Sequence, residues 1–133
     1  MKFHNSLNEI NPNIQFTIEY SNTSISFLDV KVINDETKIL TDVFYKATDT
    51  HQYLNFKSCH PTHTKRNIPN NLARRICTIV TDENTKDQRL EELKLFLKAK
   101  NYPKTLVLSA IREAKKILQH VLRSTREKHN DRF

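Results

Sequence analysis

FLDVKVINDETKILTDVFYKATDTHQYLNFKSCHPTHTKRNIP, residues 27–69, is the stretch on which the fold turns. Val30, Val32 and Ile33 precede the polar run Asn34 to Thr37, and Ile39, Leu40 and Val43 follow it. Two β-rich runs around a polar tetrad predict an antiparallel hairpin, with Lys38–Lys46 as the returning strand. The outgoing strand is read over Ile25–Ile33. Its apolar residues change phase between Phe27 and Leu28, which predicts a bulge or a strand buried on both faces. Upstream, Ile14, Phe16, Ile18 and Tyr20 alternate with Gln15, Thr17 and Glu19, the period of a half-buried strand. Lys2–Glu9 reads as a helix stopped by the turn signal Asn11-Pro12-Asn13.

Downstream of the hairpin the pattern changes. Ala47–Asn67 reads as mostly irregular, with an extended piece near Gln52–Phe56, and a loop of that length in a small domain is usually functional. From Pro69 onward the apolar period is helical. A first helix, capped by Asn70 or Asn71, places Leu72, Ile76, Ile79 and Val80 on one face and leaves Arg74 and Arg75 on or beside the other. A second, near Thr85–Lys100, buries Leu90, Leu93, Phe96 and Leu97. Asn101 stops it, and Pro103 suits the first turn of a third helix. That helix buries Val107, Ala110, Ile111, Ala114, Ile117, Leu118 and Val121, and frays after about Leu122. The expected fold class is α+β. A small antiparallel sheet of about three strands occupies residues 1–56, and a basic linker with a three-helix bundle occupies 57–133.

The order FLDV (27–30), FYKATDTHQYL (44–54), SCHPTHTKRNIP (58–69) and LARRIC (72–77) resembles the region just after the catalytic centre in reverse transcriptases of Penelope-like retroelements. The resemblance runs from about Leu7 to about Lys116. It implies that residues 1–56 form the edge of a polymerase palm and residues 57–133 a thumb-like bundle. The implied partners are an RNA/DNA duplex and the upstream palm and fingers of the same polyprotein. Mg2+ is implied only in that missing catalytic part. The family usually has glycine before Ile-Pro and before Tyr-Pro, where this chain has Asn67 and Asn101. Asparagine tolerates the left-handed backbone best after glycine.

The sequence itself contains no Asp-Asp pair to hold two polymerase metals. Its adjacent acids, Asp35-Glu36, Asp82-Glu83 and Glu91-Glu92, fall in predicted turns and on a helix face, so no catalytic residue is assigned. With no glycine anywhere, phosphate-cradling P-loops and dinucleotide fingerprints are excluded. Two cysteines, Cys59 and Cys77, make no disulfide framework, and reduced thiols fit a nuclear or cytoplasmic location. No apolar run approaches 18 residues and the amino end lacks the pattern of a secretory signal, so no membrane partner is expected.

Charge is divided unevenly. Residues 1–56 carry 4 basic and 7 acidic side chains, residues 57–133 carry 18 and 8, for nets of −3 and +10. A basic half of this kind is the electrostatic footprint of a phosphate backbone. Lys57, His60, His63, Lys65, Arg66, Arg74 and Arg75 are the candidate contacts, with Tyr45 and Tyr53 available to stack on a base or sugar. Cys59, His60, His63, Cys77 and His51 have zinc-ligand chemistry, but Cys59 and His60 are adjacent and no second close pair follows, so no metal ligand is assigned. The function expected is that of a non-catalytic carboxy-terminal piece of a reverse transcriptase that holds the primer-template duplex by its phosphates. The alternatives are a free-standing basic nucleic-acid-binding module and a small zinc-supported interaction domain.

Overall fold

The computed structural model describes residues 2–130, with side chains in the last helix as far as Leu118 and at His120. The element order is α1 (Lys2–Ile10), β1 (Ser24–Phe27), β2 (Val30–Asp35), β3 (Lys38–Val43), α2 (Thr62–Ile79), α3 (Glu83–Ala99) and α4 (Lys104–Asn130). The fold is α+β, as its composition of strand-like and helical periods predicts.

The phase change at Leu28 marks a reversal of the chain, not a bulge. Phe27 pairs with Val30 across a two-residue turn, and the run read as one strand is two. Leu28 has φ of 52°, a conformation that hairpin turns usually reserve for glycine or asparagine. A glycine-free chain gives no local signal for such a turn. The second hairpin closes at Asp35–Lys38, as expected, around Glu36 with φ of 37°. The sheet is antiparallel in the order β1-β2-β3.

The strand predicted at Ile14–Tyr20 does not form. Its apolar residues are 49–72% exposed and it enters no ladder. Alternation specifies which face a strand buries but supplies neither partner nor cover. In place of a neighbouring strand, the Asn8 carboxamide accepts from the Phe16 amide at 2.6 Å and donates to the Phe16 carbonyl at 3.1 Å. The sheet therefore keeps its three strands, but β1 replaces the predicted member.

The first helix of the bundle begins earlier than its proline suggests. α2 starts at Thr62 and carries Pro69 inside it, fully buried. Asn70 and Asn71 are interior residues, not caps. Proline costs an interior helix the amide that would bond four residues back, here to the Lys65 carbonyl, and burial of the ring against the bundle offsets that loss. At α3, Asp82 caps the first turn by accepting from Thr85 N at 2.8 Å. That bond and one from the Thr85 hydroxyl hold the Asp82 carboxyl below its ordinary pKa. Asn101 ends α3 with φ of 64°, as its glycine-like reading predicts, whereas Asn67 lies within α2 at negative φ. α4 continues past Leu122 to Asn130; Pro103 precedes it. The expectation for Val121 lies outside the described residues.

The core is the seam of α2, α3 and α4. Ala73, Ile76 and Cys77 face Leu90, Leu93, Leu97, Val107, Ile111 and Ala114, all at most 8% exposed. Complete burial of each leucine contributes about 2 kcal/mol. Leu72, Ile79 and Phe96 are only half-buried, and Ile117 is 38% exposed. β3 fastens the sheet to this seam. Thr41 N donates to Thr81 Oγ1 and Thr81 N to Thr41 O, at 2.9 and 3.1 Å. One residue on, buried Asp42 receives Arg89 Nε at 3.1 Å and Nη2 at 2.6 Å. Burial opposes the Asp42 charge, but the Arg89 bonds, the Val43 amide and the charges of Arg89 and Lys31 together hold its carboxyl below the ordinary value.

Candidate nucleic-acid interface

α2 has 18 residues, four of them Lys or Arg, and no acid. Its acid-free character extends well beyond it, since no Asp or Glu occurs between Asp49 and Asp82. The apolar stripe faces the core, so His63, Arg66, Asn67, Asn71 and Arg74 are left exposed. α4, which packs against α2, carries exposed Arg112 and Lys116. A helix face of cations and amides without carboxylates attracts phosphate and has donors for its oxygens.

The seven residues proposed from sequence divide into two groups. His63, Arg66 and Arg74 stand exposed on α2, and Lys57 and His60 are exposed on the loop leading into it. Lys65 and Arg75 are otherwise engaged. Lys65 Nζ donates to the Ser58 carbonyl at 3.0 Å and lies 5.4 Å from the centre of the Phe56 ring, which pins the incoming loop to the helix. Arg75 is half-buried on the sheet side, with Nη2 3.1 Å from Asp29 Oδ1. The loop residue His60 has Nδ1 3.2 Å from Ser58 Oγ. Placing His63, Lys65 and Arg66 on a helix rather than in a loop corrects the sequence reading, because it fixes their spacing to Arg74.

Tyr45 and Tyr53 are structural and do not form an open stacking platform. Both pack against the core, Tyr45 meets His51 edge-on at 4.6 Å, and His51 stacks on Phe96 at 4.2 Å. Burial raises both phenol pKa values, that of Tyr53 to about 12. Cys59 is exposed while Cys77 is buried in the bundle, where desolvation pushes its thiol pKa up. Among the described residues, no group of three or more His, Cys, Asp or Glu is placed to hold a metal ion, and no helix is long and apolar enough to cross a membrane.

Two features escaped the sequence reading. Asn67, Asn70, Asn71 and Arg74 form one wall of a groove of about 150 Å³, with Ala110, Glu113, Ala114 and Ile117 opposite. The available signal is the uninterrupted absence of acids from 50 to 81. Second, Arg112 and Lys116, one turn apart on α4, are both exposed. By contrast, Lys115 is drawn to the α3 side, with Nζ 2.7 Å from Asp87 Oδ1.

Residues 52–112 match the family model of the animal helix-turn-helix domain. The match covers the lead-in loop, α2, α3 and the first third of α4. No curated protein and no solved structure matches the chain.

Proposed function

We propose that the chain is a nucleic-acid-binding module whose α2 and adjacent α4 surface holds a duplex, chiefly by its phosphates. The observation that carries this reading is the acid-free outward face of α2. The similarity to a helix-turn-helix domain over residues 52–112 supports it, because such domains set helices against DNA. Arg66 and Arg74 supply phosphate forks, Arg112 and Lys116 extend the positive field, and His63, His60 and Lys57 lie where the loop enters. The test is a titration of the full chain against duplex DNA and RNA–DNA hybrid at several salt concentrations. Log affinity is expected to fall linearly with log salt, by about 0.9 for each phosphate contact on B-form DNA. Salt-independent binding, or none, overturns the proposal.

A second reading places the chain as the palm edge and thumb of a Penelope-like reverse transcriptase, with catalytic carboxylates and Mg2+ supplied by another segment. It is favoured by one observation. Ile14, Phe16, Ile18 and Tyr20 have the pattern of a strand, lack a strand partner and are half or more exposed, as expected where a larger sheet continues. An aromatic-x-Asp-Asp motif encoded in frame upstream of Met1 supports this reading, and a stop codon close upstream overturns it.

A further inference from the structure

We infer that the α2–α4 groove reads the edge of a nucleic-acid base that carries an exocyclic amino group, adenine or cytosine. The inference rests on the nucleic-acid reading above and adds a site of selectivity to it. The groove differs from the phosphate-binding face around it by one acid. Arg66, Arg74, Arg112 and Lys116 are cations suited to phosphate, whereas the groove that Arg74 helps to line also presents the carboxamides of Asn67, Asn70 and Asn71 and the Glu113 carboxylate. A carboxylate on a phosphate-binding face weakens backbone binding, so Glu113 is costly there unless it meets a donor.

Nucleic acids offer such a donor on their bases. In the major groove cytosine presents N4–H2 and adenine N6–H2, while guanine and thymine present only acceptors and, in thymine, a methyl group. Glutamate accepts from the cytosine amino group, and asparagine pairs in two-point fashion with adenine. Glu113, which only accepts, therefore favours amino bases and repels keto oxygens, the three amides hold either kind of edge, and Arg74 serves the phosphate assigned to it above. Among the described residues, the bundle's internal ion pairs leave these groups out: Lys86–Glu83, Arg89–Glu92, Lys94–Glu91 and Lys115–Asp87 all involve α3. At about 150 Å³ the groove has room for one base edge.

The source of that edge is either the groove of an intact duplex or an unstacked base in a single strand. The experiment uses the full chain with two randomised libraries, one duplex and one single-stranded, selected at one fixed salt concentration. The wild type is expected to favour adenine or cytosine over guanine or thymine by about tenfold at one position, the size of one good base contact. Enrichment in only one library identifies the source. Glu113→Gln keeps the shape of the side chain and is expected to abolish or redirect that preference while unselected affinity changes less than about threefold. Asn71→Ala is expected to weaken the preference, and Arg66→Ala to lower affinity for every sequence alike. Binding by the wild type without base preference overturns the inference and leaves the binding function standing, whereas no binding overturns both. A preference that survives unchanged in Glu113→Gln also overturns it.

Discussion

α2 and α3 are nearly equal in length, 18 and 17 residues, and each carries four Lys or Arg. α3 sets against them four acids, Glu83, Asp87, Glu91 and Glu92, and α2 sets none. Three of the four cations of α3 are consumed inside the protein, Lys86 by Glu83, Arg89 by Asp42 and Glu92, and Lys94 by Glu91. On α2 the sheet and the incoming loop take Arg75 and Lys65, and Arg66 and Arg74 stand free of them. Equal numbers of positive residues thus serve different purposes. A count of basic residues does not locate a binding surface; the carboxylates that accompany them do.

The largest expected effect breaks or upholds this contrast directly. Arg66→Ala with Arg74→Ala should lower duplex affinity at least tenfold and reduce the slope of log affinity against log salt by about 2. Lys94→Ala with Lys98→Ala removes the same charge from α3 and should cost less than about threefold. Equal losses in one fixed-salt titration would show that only net charge matters.

A middle-sized effect concerns stability. Asp42→Asn leaves the partly buried Arg89 without its strongest partner and should cost about 2–3 kcal/mol in chemical denaturation, near the lower end for a broken buried pair because Arg89 keeps Glu92. Binding per folded molecule should be unchanged. The pair also makes stability depend on pH. Asp42 titrates below its ordinary value of 3.8 in the fold, so its contribution is complete above that pH and is lost as pH falls through the lower, folded value. In the Asp42→Asn variant this component of the acid loss should be missing. An undiminished acid dependence would assign it to other carboxylates.

The smallest effect lies at the end of α3. Asn101→Gly should stabilise by up to about 1 kcal/mol, because glycine adopts positive φ at little steric cost, and Asn101→Ala should destabilise by about 1 kcal/mol. Thermal denaturation distinguishes the two signs. A loss with glycine would mean that the Asn101 side chain, 3.5 Å from Asn55 Oδ1, contributes more than its backbone strain costs.

Much of this architecture was legible in the residues. The Asn34–Thr37 hairpin, the apolar period of α3 and the stop at Asn101 all follow from patterns that local chemistry enforces. The errors share a cause. Leu28 and Pro69 each occupy a position their residue type disfavours, and tertiary packing rather than propensity decides such positions. Ile14–Tyr20 alternates like a strand and forms none, because a pattern does not supply a neighbouring strand. Of the candidate site, the positive half-chain and His63, Arg66 and Arg74 were accessible from sequence. The engagement of Lys65 and Arg75 was not, since Ser58, Phe56 and Asp29 approach them only through the fold.

Pro69 has a consequence for how α2 opens. A proline carries no exchangeable amide proton, and the Lys65 carbonyl has no donor four residues ahead, so the hydrogen-bond ladder is interrupted in the eighth position of the helix. The turns before it are mostly exposed, while the turns after it are anchored by Ala73, Ile76 and Cys77. In hydrogen-exchange terms the helix is expected to behave as two cooperative units on one axis, a labile one holding His63 and Arg66 and a persistent one holding Arg74. A ligand gripping Arg66 and Arg74 together joins the units. Its arrival is expected to slow exchange at amides 66–68, with little change at 73–77.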